Sequence, residues 1–178
     1  MIVQDLIEAG VPFPEAVESW VGPLKGIQDF VIGPGAIEVK STLSSSDRSV
    51  RIPSLDQLDD SLKNPLFLVF IRLTPDPDGK TLPEAIIEIS RKIEKSPVAL
   101  NLFLNRLICA GFLEGFADRY IRQFLRTETR IFPVSGPFPR LTHANVPQGI
   151  KSVQYELTLP PDIPQINFKQ ALQQLREK

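Results

Sequence analysis

Gly35-Ala-Ile-Glu-Val-Lys-Ser-Thr42 is the stretch that decides the fold, because it reads as a β-strand carrying a carboxylate and an amine two positions apart. Alternate residues of a strand share a face, so Glu38 and Lys40 stand side by side while Ile37 and Val39 point into a core. Upstream, Asp29-Phe-Val-Ile32 reads as the partner strand, and Gly33-Pro34 as the turn between them. Gly33 tolerates the positive φ that a tight hairpin needs at its first turn position. With a two-residue turn, Ile32 faces Gly35 and Asp29 faces Glu38. A three-residue loop would bring Phe30 opposite Glu38 instead and turn Asp29 away.

Asp29 and Glu38 together suit a hard divalent cation. Mg²⁺, or Mn²⁺ in its place, takes oxygen ligands, keeps several waters and is commonly held by one or two carboxylates plus a substrate phosphate. The backbone carbonyl of Val39 supplies a further oxygen, and Lys40 can neutralise phosphate charge or orient an attacking water. The competing reading is a surface ion pair across a half-exposed hairpin, a normal stabilising device. A Glu-x-Lys triplet alone is nearly uninformative; the turn, the preceding Asp and the β-branched run give it weight.

Outward from the hairpin, helices are expected over residues 2 to 9 and from Pro14 to the Gly22-Pro23 break. Strands are expected at about 27 to 32, 36 to 42, 49 to 53 and 66 to 73, with a helical segment at 54 to 62. Leu66-Phe-Leu-Val-Phe-Ile-Arg-Leu73 is almost continuously apolar, as a central strand covered on both faces should be. After an Asp76-Pro-Asp-Gly79 turn, helices begin near Leu82, Pro97 and Leu113. Residues 129 to 134 and 149 to 157 are β-prone, and a last helix covers about 167 to 176.

Composition narrows the function classes. The chain has 178 residues, 42% of them hydrophobic, and a formal net charge of −1, so any grip on nucleic acid must come from a local patch. A single domain, a soluble protein and a cytoplasmic location are expected, since no apolar run reaches the ~20 residues of a membrane span and Met1-Ile-Val-Gln-Asp5 lacks a basic leader. One cysteine, Cys109, excludes a disulfide framework and reads as a small buried thiol. One histidine, His143, excludes a multi-histidine zinc site and reads as a loop residue. In Asp118 to Arg126, helical spacing would align Arg119, Arg122 and Arg126 as a stripe for a DNA backbone. The alternative is a solvated face. Arg48, in the polar loop after the site strand, and Arg140, between prolines, are further candidates.

Trp20-Val-Gly-Pro-Leu24, Ala36-Ile-Glu-Val-Lys-Ser-Thr42, Ser54-Leu-Asp-Gln-Leu58, Phe138-Pro-Arg-Leu141 and Asn145-Val-Pro-Gln-Gly-Ile150 together resemble a bacterial family of PD-(D/E)XK motif proteins within the PD-(D/E)XK nuclease superfamily. The resemblance implies an α/β fold of restriction-endonuclease type, a central mixed sheet flanked by helices, with a core at about 12 to 75 and a helical and β extension over about 80 to 178. It implies a Mg²⁺-dependent DNA endonuclease of a restriction or anti-phage system, acting with ATPase- or helicase-like partners. The catalytic set would be Asp29, Glu38 and Lys40. It also implies that this chain corresponds to a carboxy-terminal portion or short variant, since such members are usually longer. Ile27-Gln28 replaces the proline that the superfamily name places before the aspartate. Relatives place a further acid on a preceding helix, for which Glu18 is the better candidate over Glu15, and some place a glutamine, here Gln57, beside the lysine; the alternatives are solvated helix-start acids and a surface glutamine. A catalytically inactive DNA-binding module or a scaffold subunit of a defence complex is the alternative; homodimerisation stays open.

Overall fold

The computed structural model describes residues 1–159 and 162–177. The chain divides into two compact units, each built from two stretches: Met1–Gly26 with Pro75–Leu125, and Ile27–Thr74 with Arg126–Lys178.

The first unit is mainly helical: α1 (Ile2–Glu8), α2 (Phe13–Glu18), α3 (Leu82–Ile93) and α4 (Pro97–Cys109). Their ends follow ordinary capping chemistry. Thr81 and Glu84 close a reciprocal capping box on α3, and Ser96 accepts from the Ala99 N–H on α4 with Pro97 in the first turn. Ile86, Ile89 and Ile93 bury one stripe of α3, while Ala99, Phe103 and Leu107 bury one stripe of α4, where Phe103 meets Trp20 at 6.3 Å between ring centroids. Cys109 lies two positions past that stripe and is exposed, correcting the expectation of a buried thiol. Leu104, one position past Phe103, also turns off that stripe and is exposed.

The second unit holds the sheet. β1 (Phe30–Ile32), β2 (Gly35–Thr42), β4 (Leu66–Lys80) and β5 (Phe124–Pro133) lie in the order β1-β2-β4-β5; β4 and β5 each continue into the first unit. β1 runs antiparallel to β2 and β2 parallel to β4. β5 runs against β4: Val134 donates to the Leu66 carbonyl at one end, and Glu128 meets Arg72 further along. The α/β class with a mixed central sheet stands, and the chain beyond residue 80 contributes a full strand to it. β3 (Ser49–Ile52) and β6 (Tyr155–Thr158) form a separate antiparallel pair. Ala36, Leu66, Leu68, Phe70, Phe132 and Val134 pack with Val50, Ile52 and Leu157 in one apolar cluster. α5 (Phe168–Arg176), capped by Asn167 and Gln170, closes the described chain.

Four local expectations change. The segment at 54 to 62 forms only one 3-10 turn, Asp56–Leu58, because the chain must return within a few residues to pair Leu66 beside Ala36. The Asp76 to Gly79 segment is strand, held by the Asp76 N–H on the Gln123 carbonyl. The segment after Leu113 is a 3-10 stretch, Glu114–Arg119, and residues 120–123 carry no helix or strand before β5. Only Tyr155–Thr158 of the 149 to 157 segment is strand.

The hairpin adopts the two-residue turn. β1 and β2 pair Ile32 with Gly35, Val31 with Ala36 and Phe30 with Ile37. Gly33 has φ +56, and proline at the second position supplies a fixed negative φ, the signs of a II′ turn. A methyl group on Gly35 would lie 2.4 Å from the Pro65 carbonyl oxygen and 2.6 Å from a Leu175 methyl. Gly35→Ala is therefore expected to destabilise the protein by about 2 kcal/mol or more, read as a lower urea midpoint. An unchanged midpoint would mean that the hairpin is not seated as described.

Candidate active site

Continuing the hairpin register one step past Phe30 and Ile37 puts Asp29 opposite Glu38. Directly opposed residues of an antiparallel pair share a face. Asp29 stands just before β1, and its Oδ2 accepts the Val39 N–H at 2.8 Å. The carboxylate thus takes over the β2 edge where β1 ends.

Glu38 is 2% exposed and Lys40 16%. Their β4 neighbours in the parallel register are Leu68 and Phe70, both fully buried, so the charged pair rests on an apolar floor. Lys40 Nζ lies 2.6 Å from Glu38 Oε1 and donates to Gln57 Oε1 at 2.8 Å. The other carboxylate oxygen, Glu38 Oε2, is buried and has no hydrogen-bond partner. Burial of this depth rules out the surface ion pair across a half-exposed hairpin.

Desolvation dominates the electrostatics. Burial, and then the negative charge of Asp29, push the Glu38 carboxyl up to about 7, although Lys40 and the Asp29 N–H oppose the rise. Burial also raises the Asp29 carboxyl, against the stabilising Val39 N–H and the Lys40 charge. Two carboxylates facing one another in an apolar setting resist being charged together; a cation between them removes that penalty. Among the described residues no group of three or more His, Cys, Asp or Glu side chains could hold a metal, so the protein's acidic donors here are these two. An unpartnered buried oxygen beside a second carboxylate fits a hard cation that keeps waters and takes the rest of its shell from substrate.

The structure brings Asp29, Glu38, Val39, Lys40 and Gln57 together. Glu18 is exposed on α2, in the helical unit. The arginine stripe does not exist as a helix face. Arg119 ends the 3-10 stretch with its guanidinium over Phe116, Arg122 precedes β5 with its guanidinium over Phe124, and Arg126 is in β5. In β5 the β-branched Thr127, Thr129 and Ile131 alternate with the charged Arg126, Glu128 and Arg130, a strand pattern that overrides the helical spacing of the arginines. Arg140 is 15% exposed, donates to Asp60 at 2.7 Å and also holds the Phe138 and Gly136 carbonyls. Arg48 lies 3.7 Å from Glu128, which also receives Arg72 and Arg130.

Two residues escaped the sequence reading. Gln28, 3% exposed, donates its amide to the Asp56 carbonyl at 3.1 Å, tying the Asp29 segment to the Gln57 turn. His143, read as an idle loop residue, lies 2.8 Å from Asp56 Oδ1. A buried amide beside Asp29 was the only available signal for the first; nothing local marked the second.

No curated protein and no solved structure matches the chain. A family model described as "Putative PD-(D/E)XK family member, (DUF4420)" matches residues 1–160. Over residues 1–160 of its 178 the chain belongs to this family.

Proposed function

We infer that the protein hydrolyses phosphodiester bonds of DNA with Mg²⁺ or Mn²⁺ bound at Asp29, Glu38 and the Val39 carbonyl. The observation that carries this reading is the unpartnered, buried Glu38 Oε2 opposite Asp29, with the Lys40 ammonium beside it. A strand residue directs its N–H and C=O to the same edge, so the Val39 carbonyl faces the edge on which Asp29 caps the Val39 N–H. The bound cation supplies Lewis acidity toward the phosphate and toward a coordinated water.

The side chains divide the remaining work. Glu38 and Asp29 contribute two negative charges when ionised, against one positive charge on Lys40, which favours a cation. Lys40 keeps its amine at the rim of the carboxylates, where it can hold a water or a phosphate oxygen. Gln57 orients that amine. The apolar floor of Leu68 and Phe70 keeps bulk water away from one side, which strengthens each of these interactions. A cytoplasmic role against foreign DNA, with ATPase- or helicase-like partners, belongs to this proposal through the family resemblance.

Purified protein is expected to nick or cut DNA with Mg²⁺ or Mn²⁺, to stop on addition of EDTA and to recover when metal is restored. Asp29→Ala should abolish that activity. Cleavage surviving in Asp29→Ala or in EDTA would reject the assigned site. DNA binding without cleavage, with every metal and partner tried, would favour the inactive binding module.

A further inference from the structure

Asp29, Lys40 and Gln57 sit on a closed ring of hydrogen bonds and peptide bonds. Asp29 accepts from the Val39 N–H at 2.8 Å. Val39 is followed by Lys40, whose ammonium donates to Gln57 Oε1 at 2.8 Å. Gln57 follows Asp56, whose carbonyl accepts from Gln28 Nε2 at 3.1 Å, and Gln28 precedes Asp29. Each orientation is fixed by chemistry: an ammonium only donates, so the Gln57 oxygen must face it, and a carbonyl only accepts, so the Gln28 amide must present its NH₂.

Burying a glutamine costs free energy unless its amide is used. Gln28 is 3% exposed, and the group it serves is the backbone of the turn that carries Gln57. Leu55 and Leu58 anchor the two sides of that turn in the core, and His143 braces its outer side through the Asp56 carboxylate at 2.8 Å. The turn is a single 3-10 unit with no side-chain cap, so its position depends on these long-range ties.

We propose that Gln28 is a positioning residue that sets the Lys40 ammonium through the Asp56–Gln57 turn. Lysine carries its charge on a flexible four-carbon stem. Without the Gln57 oxygen the ammonium is free to collapse wholly onto Glu38, occupying the oxygen that the function requires. With it, the amine is shared between Glu38 and Gln57 and held at the rim. The rate consequence rests on the nuclease reading above; the placement of Lys40 does not.

The test is a double-mutant cycle in the full chain with Gln28→Met, of equal length but no donor, and Gln57→Leu. Each single variant is expected to lose roughly 10- to 100-fold in kcat with KM for DNA within about twofold, as for other groups that orient a ligand from behind. The double variant should be no slower than Gln57→Leu alone, because one residue acts through the other. Losses that multiply would overturn the proposal. An activity-independent arm follows the Lys40 ammonium protons by ¹⁵N NMR in metal-free protein. Their exchange with water should be about tenfold or more faster in both single variants, and unchanged exchange in Gln28→Met overturns the proposal even if the wild type cuts no DNA. If Gln28→Met fails to fold, Gln28→Asn keeps a buried amide one methylene too short to reach Asp56 and should reproduce the loss.

Discussion

Glu38→Gln should abolish metal-dependent cleavage and at the same time make the protein more stable above neutral pH. The Glu38 carboxyl is raised from about 4.5 in the unfolded chain to about 7 in the native site. The native state therefore holds a proton that the unfolded state has already released across that window. Stability falls as pH rises from 4.5 to 7 and stays reduced above it. At 1.36 kcal/mol per unit the ionised carboxylate costs about 3 kcal/mol once pH exceeds 7. Glutamine keeps the shape, can still accept from Lys40 and carries no charge, so that cost disappears.

In metal-free buffer the wild-type melting temperature should decline between about pH 5 and 8, while the variant is flatter and several degrees higher at pH 8. Below about pH 4.5 the two should coincide. Mg²⁺ should raise the wild-type melting temperature and raise that of the variant much less, since the variant keeps only one of the two carboxylates. Loss of the several kcal/mol that a dication contributes to a phosphoryl transition state corresponds to roughly a thousandfold or more in rate. Parallel pH profiles for wild type and variant would show that Glu38 does not titrate in this window, and the electrostatic picture of the site would fail.

The parts of this site that follow strict periodicity were legible in the sequence. Two-residue alternation and the Gly33-Pro34 turn suffice to place Asp29 opposite Glu38, because a one-residue slip would have exposed Ile32 and Ile37, which are buried. The uninterrupted apolar run from Leu66 marked the central strand. What the alternation hid is the depth of the site. A strand with polar residues on one face reads as half-exposed, yet Glu38 is as buried as the core, because Leu68 and Phe70 from β4 share its face. The arginines at 119, 122 and 126 had helical spacing, but the 3-10 stretch ends at Arg119 and β5 begins at Phe124, so no helix carries all three. Gln28 and His143 act across 28 and 87 positions of sequence, a distance at which no local pattern carries information.

Lys40→Met should separate metal binding from chemistry. Lys40 and the dication compete for the same carboxylate, since the ammonium lies 2.6 Å from Glu38 Oε1. Removing the ammonium takes away a like charge beside the incoming ion, so Mn²⁺ affinity by calorimetry should hold or rise above pH 7, whereas Glu38→Gln should lose it. Cleavage should nevertheless fall to background in both, in Glu38→Gln for want of the metal and in Lys40→Met because the amine that orients water or phosphate is gone. Stability should move in the opposite sense from Glu38→Gln. The Glu38 carboxylate loses the partner that opposes its rise, stays protonated to higher pH, and destabilises the protein most at alkaline pH. Added Mn²⁺ should restore that stability by supplying the missing positive charge. A Lys40→Met protein that binds Mn²⁺ more weakly than wild type would mean that Lys40 builds the metal site instead of competing with it, and a variant that still cuts DNA would remove Lys40 from the chemistry altogether.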